Sequence, residues 1–426
     1  MEKLQAIRGM NDILPEHIHW WHFLEERLRQ VAQQYGYEEI RFPIVEKTQL
    51  FKRTIGEVTD VVEKEMYVFE DRNGDSLALR PEGTAGCVRA AIQNGLLHHQ
   101  IQKLWYMGPM YRHERPQKGR YRQFYQFGAE AFGLSGPDID VELIAFTYRL
   151  WQQLGLADKL VLQINSLGSQ AARQAYRTVL VDYFTQRHHE LDEDSQRRLA
   201  TNPLRILDSK NPAMKTLVEK APRLLTYLDD ESAKDFQLLL SQLDNLNIPY
   251  EVSPCLVRGL DYYSKTVFEW VSHDLGAQGT VCAGGRYDDL VSLLGGRTTP
   301  AVGFSIGLER IVLLLEMFFL KEAAPITPHV YLMTLGDEPR AKSLALAEDL
   351  RNQVPKLRIQ THLGEGSAKS QFKKADKSGA ILGVLMGENE LANNEVVIKF
   401  LRETKEQCTV SLNELSAYLK QYLLIE

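Results

Sequence analysis

Cysteine is scarce in this chain. Its four residues among 426, Cys87, Cys255, Cys282 and Cys408, stand far apart. No CxxC pair and no histidine cluster at metal-ligand spacing accompanies them, so a structural zinc site is not expected and reduced thiols in a cytoplasmic protein are. Long apolar runs are also missing. The longest, IVLLLEMFFL at 311–320, is broken by Glu316 and falls far short of the roughly 20 residues of a bilayer span, so no membrane contact is expected. The opening MEKLQAIRGMNDILP lacks the apolar core of a secretory signal. Neither common phosphate-binding turn occurs: there is no Walker loop and no GxGxxG opening a helix. Repeats and low-complexity tracts are absent. A formal net charge of -6 gives no global attraction for nucleic acid, so RNA contact has to come from local patches.

What remains is the profile of a folded globular protein, with 44% hydrophobic and 25% charged residues. The length calls for two or three domains. Ile18, Trp21, Leu24, Leu28, Val31 and Tyr35 recur at three- and four-residue spacing, which predicts an amphipathic helix ending at Gly36. IRFPIVE reads as a short strand with an edge or bend at Pro43, and 61–132 reads as strands with DRNGD as a turn. Residues 170–245 change to helical patterns broken at Asn202-Pro203 and Asn211-Pro212, the mark of a helical insertion. Strands return at 251–284 and 300–306, followed by a helix from 307. After KEAAPITPH, strand and helix alternate to the C-terminus, which predicts a compact α/β domain. The expected division is 1–325, carrying the insertion at 170–245, and 326–426.

One stretch contradicts the acidic balance. YRHERPQKGRYRQF, 111–124, crowds Arg112, Arg115, Lys118, Arg120 and Arg122 together with His113. Its flanks predict a hairpin with arginines on both rims. The period of two places Arg120, Arg122, Phe124, Gln126 and Glu130 on one face, with Tyr121, Gln123, Tyr125, Phe127 and Ala129 on the other. The second set suits a core. The first does not, because guanidiniums, a ring, an amide and a carboxylate on one surface need a ligand to satisfy them. Guanidiniums match phosphate oxygens and a ring stacks a base, so a nucleotide polyphosphate fits. Elsewhere, Lys369, Lys373 and Lys377 recur every fourth residue, a basic stripe with Lys374 beside it. Phosphate contact and a solvated helix face both account for that stripe.

The hairpin resembles motif 2 of class II aminoacyl-tRNA synthetases through Tyr111, Arg112 and Glu114, a variable loop, then Arg120 and Phe124. GFSIGLERI is similar to motif 3, with Gly303 and Gly307 bracketing a strand-to-helix turn and Arg310 in the first helical turn. The first helix and the strand near Pro43 stand where motif 1, a dimer element, would lie. LVRGLDYYSKTVFE at 256–269, AGGRYDDL at 283–290, LRPEGTAG at 79–86 and IRGMNDILP at 7–15 resemble the histidyl-tRNA synthetase family, over nearly the whole chain. The resemblance implies an α+β catalytic domain built on an antiparallel sheet flanked by helices, with the insertion and a C-terminal anticodon-binding α/β domain. It implies histidine, ATP and tRNA(His) as substrates, Mg2+ on the polyphosphate, a homodimer and no metal held by the protein alone.

Residue by residue, the resemblance implies Arg112 and Arg258 at the α-phosphate as the catalytic pair. Arg120 and Arg310 go to the outer phosphates, and Glu114 and Phe124 to adenine. Glu82, Thr84, Gln126, Glu130, Arg258, Tyr262 and Tyr263 go to histidine. The chemistry agrees: an imidazole needs an acceptor and a second partner, which Glu130 and Tyr263 offer, while an ammonium needs acceptors and a carboxylate a cation. Arg258 and Tyr263 would fall on opposite faces of a regular strand, so Gly259 is expected to interrupt it. Arg115, Gln117 and Lys118 on the loop, and Lys369, Lys373 and Lys377 in the C-terminal domain, are the expected tRNA contacts. Two alternatives stay in view. A synthetase-like regulatory subunit would lack the arginines Arg112, Arg258 and Arg310 that this chain keeps, and a synthetase for proline or threonine would have no use for Glu130 with Tyr263.

Overall fold

A computed structural model describes residues 3–425 except 57, 58, 60, 210, 259–261 and 319–325. The chain divides into two compact units, 1–323 and 324–426. In the first, the apolar stripe predicted from residue 18 forms helix α1 (Ile18–Gln34), which buries Trp20, Trp21, Leu24, Leu28 and Val31. Gly36 ends it at φ +72, a left-handed position that favours glycine, and Tyr37 N–H returns to Ala32 O at 2.9 Å. The chain continues through β1 (Glu38–Glu39), β2 (Val45–Lys47), α2 (Thr48–Ile55), β3 (Val68–Glu70) and β4 (Ser76–Leu79). Pro43 lies between two strands rather than in one, so it acts as the bend.

Next come α3 (Thr84–Gln93), β5 (Gln102–Tyr111), β6 (Gln123–Phe132), α4 (Pro137–Gln153) and β7 (Val161–Ser166). The insertion follows as α5 (Gln170–Thr185), α6 (Glu193–Thr201), α7 (Lys215–Glu219) and α8 (Asp230–Asn245). The unit closes with β8 (Glu251–Val252), β9 (Ser264–Val271), β10 (Thr280–Arg286), α9 (Leu290–Leu293), β11 (Ala301–Gly307) and α10 (Leu308–Phe318). Eight strands make one sheet in the order β1-β5-β6-β11-β10-β9-β7-β8, while β2, β4 and β3 make a small antiparallel sheet. The large sheet is antiparallel through its middle and parallel at both edges, where β1 pairs with β5 and β8 with β7.

Two features correct the sequence reading. Within 61–132 the expected strands are interrupted by α3, whose Ala85, Cys87, Val88, Ala90 and Ala91 are buried. Burial on nearly every side erases the helical alternation between apolar and polar residues, so the run resembles a buried strand. Arg120 and Arg122 also lie before β6, not on it. The backbone turns tightly between Gln117 and Arg120, and Arg122 N–H donates to Gly9 O at 2.7 Å. Alternation therefore starts at β6 itself. Phe127, Ala129 and Ala131 join Phe304, Ile306 and α1, α4 and α10 residues in the main core. The opposite face is left for the cleft.

The second unit alternates as predicted: β12 (Val330–Leu335), α11 (Asp337–Gln353), β13 (Ile359–Thr361), α12 (Ala368–Lys377), β14 (Leu382–Gly387), α13 (Glu388–Ala392), β15 (Glu395–Phe400), β16 (Cys408–Ser411) and α14 (Leu415–Leu423). β13, β12 and β14 run parallel, and β15 and β16 add antiparallel strands at one edge. Val330, Leu332, Leu382 and Val384 form its core with Ala347, Leu350, Leu415 and Leu419 of the flanking helices.

Candidate active site

The central strands frame a cleft of about 1090 Å³, open solvent at its mouth included. It brings together eleven residues expected from the sequence: Glu82, Thr84, Arg112, Glu114, Arg120, Phe124, Gln126, Arg258, Tyr262, Tyr263 and Arg310. Glu269, Thr280, Ser305 and Glu309 line it too and were not anticipated. Arg115, Gln117 and Lys118 are exposed on the loop joining β5 to β6. Lys369, Lys373 and Lys377 are exposed on α12, in the second unit. Gly259, expected to break the backbone between Arg258 and Tyr263, lies outside the described residues.

One end of the cleft is a ring of guanidiniums. Arg112 follows β5, donates from Nε to Pro81 O at 2.8 Å and sits 5.3 Å from the centre of the Phe124 ring. Arg310, in the first turn of α10, donates to Gly119 O at 3.0 Å, to Gln278 Oε1 at 3.0 Å and to Thr280 O. These contacts give a cation at the positive end of a helix a fixed place despite the opposing dipole. Arg120 pairs with Glu114 and lies 3.7 Å from Glu65. Burial lowers the Arg112 pKa. Burial, with repulsion from Arg112 and Arg120, pushes Arg310 down to about 10. Cations so desolvated and so close together are best satisfied by a polyanion.

Arg258 pairs with Glu269 and lies over the Tyr263 ring at 5.1 Å. Burial opposes its charge, but Tyr263 and Glu269 outweigh that and its pKa ends above the usual value. Its Nε is buried with no hydrogen-bond partner, and so is Gln126 Oε1 nearby on the cleft wall. Together they offer the cleft one unsatisfied donor and one unsatisfied acceptor.

At this end Glu82 lies two residues before α3. Its carboxylate accepts from Thr84 N–H at 2.6 Å and Ala85 N–H at 3.0 Å, so it caps a helix while lining the cleft. Burial nevertheless raises its pKa. Glu130 is fully buried one hydrogen bond behind the wall: Thr84 Oγ1 donates to its Oε1 at 2.9 Å. Tyr106 OH donates to the same oxygen at 2.9 Å, and Tyr287 OH donates to Oε2. Gly303, paired with Glu130 across β6 and β11, leaves room for this carboxylate, since a Cβ there would collide with it. Burial pushes the Glu130 pKa up to about 8, with the three hydroxyls pulling it down. Glu309, half-buried, accepts from Tyr125 N–H at 2.8 Å, and its desolvation raises its pKa to about 7.

Sequence reasoning missed the tyrosines of this cage. Tyr287 lies inside AGGRYDDL and was available to be picked, whereas Tyr106 sits in an apolar strand and carries no local signal. Arg286, beside Tyr287, is held in a buried pair with Asp140 and donates to Leu134 O and Gly136 O, fixing the strand end that presents the Tyr287 hydroxyl. Among the described residues no group of three or more His, Cys, Asp or Glu could hold a metal ion.

Comparison with known proteins agrees with this geometry. A family model described as histidyl-tRNA synthetase matches residues 9–311, and one described as an anticodon binding domain matches 329–422. Proteins named histidine–tRNA ligase from Hydrogenovibrio crunogenus and Legionella pneumophila (strain Paris) are 57% and 55% identical, each over 99% of this chain and 99% of the relative. The structure of apo S. aureus histidyl-tRNA synthetase superimposes with a TM-score of 0.82 at 36% identity, covering 98% of this chain and all of that one.

Proposed function

The chain belongs to the histidyl-tRNA synthetase family, and from that premise we propose how its cleft divides the work of the reaction. The activity is that of a histidine–tRNA ligase using ATP. The histidine carboxylate oxygen bonds to the α-phosphorus while the bond to the β-phosphate bridging oxygen breaks, and pyrophosphate leaves with that electron pair. The terminal ribose hydroxyl of tRNA(His) then attacks the histidyl carbonyl carbon, loses its proton and expels AMP. No covalent enzyme intermediate is needed. The protein's share is alignment and fixed positive charge where negative charge grows.

Arg112 and Arg258 serve the α-phosphate, Arg120 and Arg310 the outer phosphates, and Glu114 and Phe124 the adenine. Glu82, Thr84 and Gln126 receive the ammonium, Arg258 the carboxylate, and Tyr262, Tyr263 and Glu130 the imidazole. The observation that carries this reading is the ring of half-buried guanidiniums beside the unpartnered Arg258 Nε and Gln126 Oε1. Magnesium fits as the counter-ion of the polyphosphate, where one carboxylate beside substrate oxygens suffices; Glu269 lines the cleft. Arg115, Gln117 and Lys118 meet the acceptor end of tRNA, and the α12 lysines the anticodon region.

A homodimer is supported by Ile44, Val45, Val68 and Phe69, all exposed in and around the small sheet. A monomer in sedimentation equilibrium would sink that. Four free cysteines suit a cytoplasmic setting, and no helix among the described residues is long and apolar enough to cross a membrane. ATP–pyrophosphate exchange measured with each of the twenty amino acids tests the whole reading. Histidine alone should support it, and exchange driven by another amino acid overturns the substrate assignment.

A further inference from the structure

Tyr262 separates two cavities. On one side it lines the cleft, and on the other it lines a second cavity of about 760 Å³ between α5 of the insertion and α9. Arg173, Gln174 and Arg177 of α5 face this space, their spacing placing them on one side of the helix. Leu290 and Leu293 of α9 join Tyr262 as an apolar floor. Arg173 donates to Tyr263 O at 2.5 Å and so ties α5 to the segment that carries both tyrosines. Arg177 differs. It is half-buried and, among the described residues, makes no hydrogen bond or ion pair with a protein group. A partly desolvated guanidinium facing a cavity without a partner calls for an anion.

We propose that this second cavity holds the single-stranded 3′ end of tRNA, with a backbone phosphate on Arg177 and a base against the floor of Tyr262, Leu290 and Leu293. The inference rests on the ligase reading. Transfer requires the terminal ribose at the activated carboxyl in the cleft, so the nucleotide before it has to lie one backbone step away. This cavity shares a wall with the cleft. A cation beside an aromatic and aliphatic surface is also how proteins hold unpaired strands without reading their sequence. Asp289, exposed on the opposite rim, repels phosphate there and so directs the backbone toward α5.

The test compares parent and Arg177→Ala proteins for binding to tRNA transcripts with and without the unpaired 3′ nucleotides. Arg173 is left intact because of its contact with Tyr263. The variant should bind the full transcript roughly tenfold more weakly, the size of one charge-assisted contact. It should bind the truncated transcript like the parent, and Arg177→Lys should recover part of the loss. Histidine-dependent pyrophosphate exchange, which needs no tRNA, should be unchanged. Equal weakening on both transcripts, or none on either, overturns the proposal, and so does loss of exchange in the variant. Absence of histidine-dependent exchange in the parent would instead overturn the ligase reading.

Discussion

The cleft arginines and the α12 lysines carry the same charge in opposite surroundings. Arg112 and Arg310 are half-buried, held by backbone carbonyls and depressed in pKa by lost hydration. Lys369, Lys373 and Lys377 stand in solvent on a helix whose buried side is Gln371 and Ala375. A desolvated cation is costly until its anion arrives, so it is paid for by the fold and acts at one place. A solvated cation costs almost nothing and acts at a distance that salt can screen. On the proposed reading the first kind serves chemistry and the second encounter, so the two should fail differently when altered.

The largest effect belongs to the buried kind. Arg258→Ala should lower histidine-dependent pyrophosphate exchange roughly a hundredfold or more, the usual loss for one preorganised donor at developing charge. Thermal melting should show the variant still folded. Near-normal exchange would remove Arg258 from the catalytic set and erase the contrast.

Glu130→Gln comes next, because it keeps the shape of the hydroxyl cage but removes the charge that the carboxylate carries above about pH 8 behind the imidazole end of the cleft. Above that pH, histidine-dependent kcat/KM should fall roughly ten- to a hundredfold, the range for a hydrogen bond to a charged group. The same variant has a stability signature. Burial raises the Glu130 pKa from 4.5 to about 8, so between those values the folded state holds a proton that the unfolded chain has lost. Stability from this group is therefore full below about 4.5, falls as pH rises and levels off above about 8. Glutamine has no such slope. The variant's Tm should gain on the parent's across that window, and parallel Tm curves would show that Glu130 titrates normally.

The same contrast explains what could be read in advance. The second unit was legible because its strands are short apolar runs and its helices have solvent faces, so each element announces its period. Around the cleft, Arg120, Phe124 and Gln126 were legible as unlike polar and aromatic groups on one strand face, whereas Glu82, Thr84, Arg258, Tyr262, Tyr263 and Arg310 were read from the family resemblance. The hydroxyl cage was not. Its donors lie 46, 24 and 157 residues from Glu130 and meet it only after the sheet forms. Helix α3 was missed for a related reason, since a fully covered helix shows no alternation. Arg122 was placed on the cleft face by extending strand alternation into a turn, where the chain instead pairs with Gly9.

The smallest effect should come from the exposed lysines, and it sharpens the comparison because it appears in binding rather than chemistry. Changing Lys369, Lys373 and Lys377 to glutamate together should leave pyrophosphate exchange intact and shift stability by about 0.5 kcal/mol or less, as surface changes usually do. Affinity for tRNA should drop. Its dependence on salt should also flatten, by about 0.7 to 0.9 in the log–log slope for each phosphate that the protein no longer neutralises. Single substitutions should each weaken binding only a few-fold, since one solvated charge contributes little. If the slope of the triple variant matches the parent's, the stripe is a hydrated helix face that neutralises no phosphate.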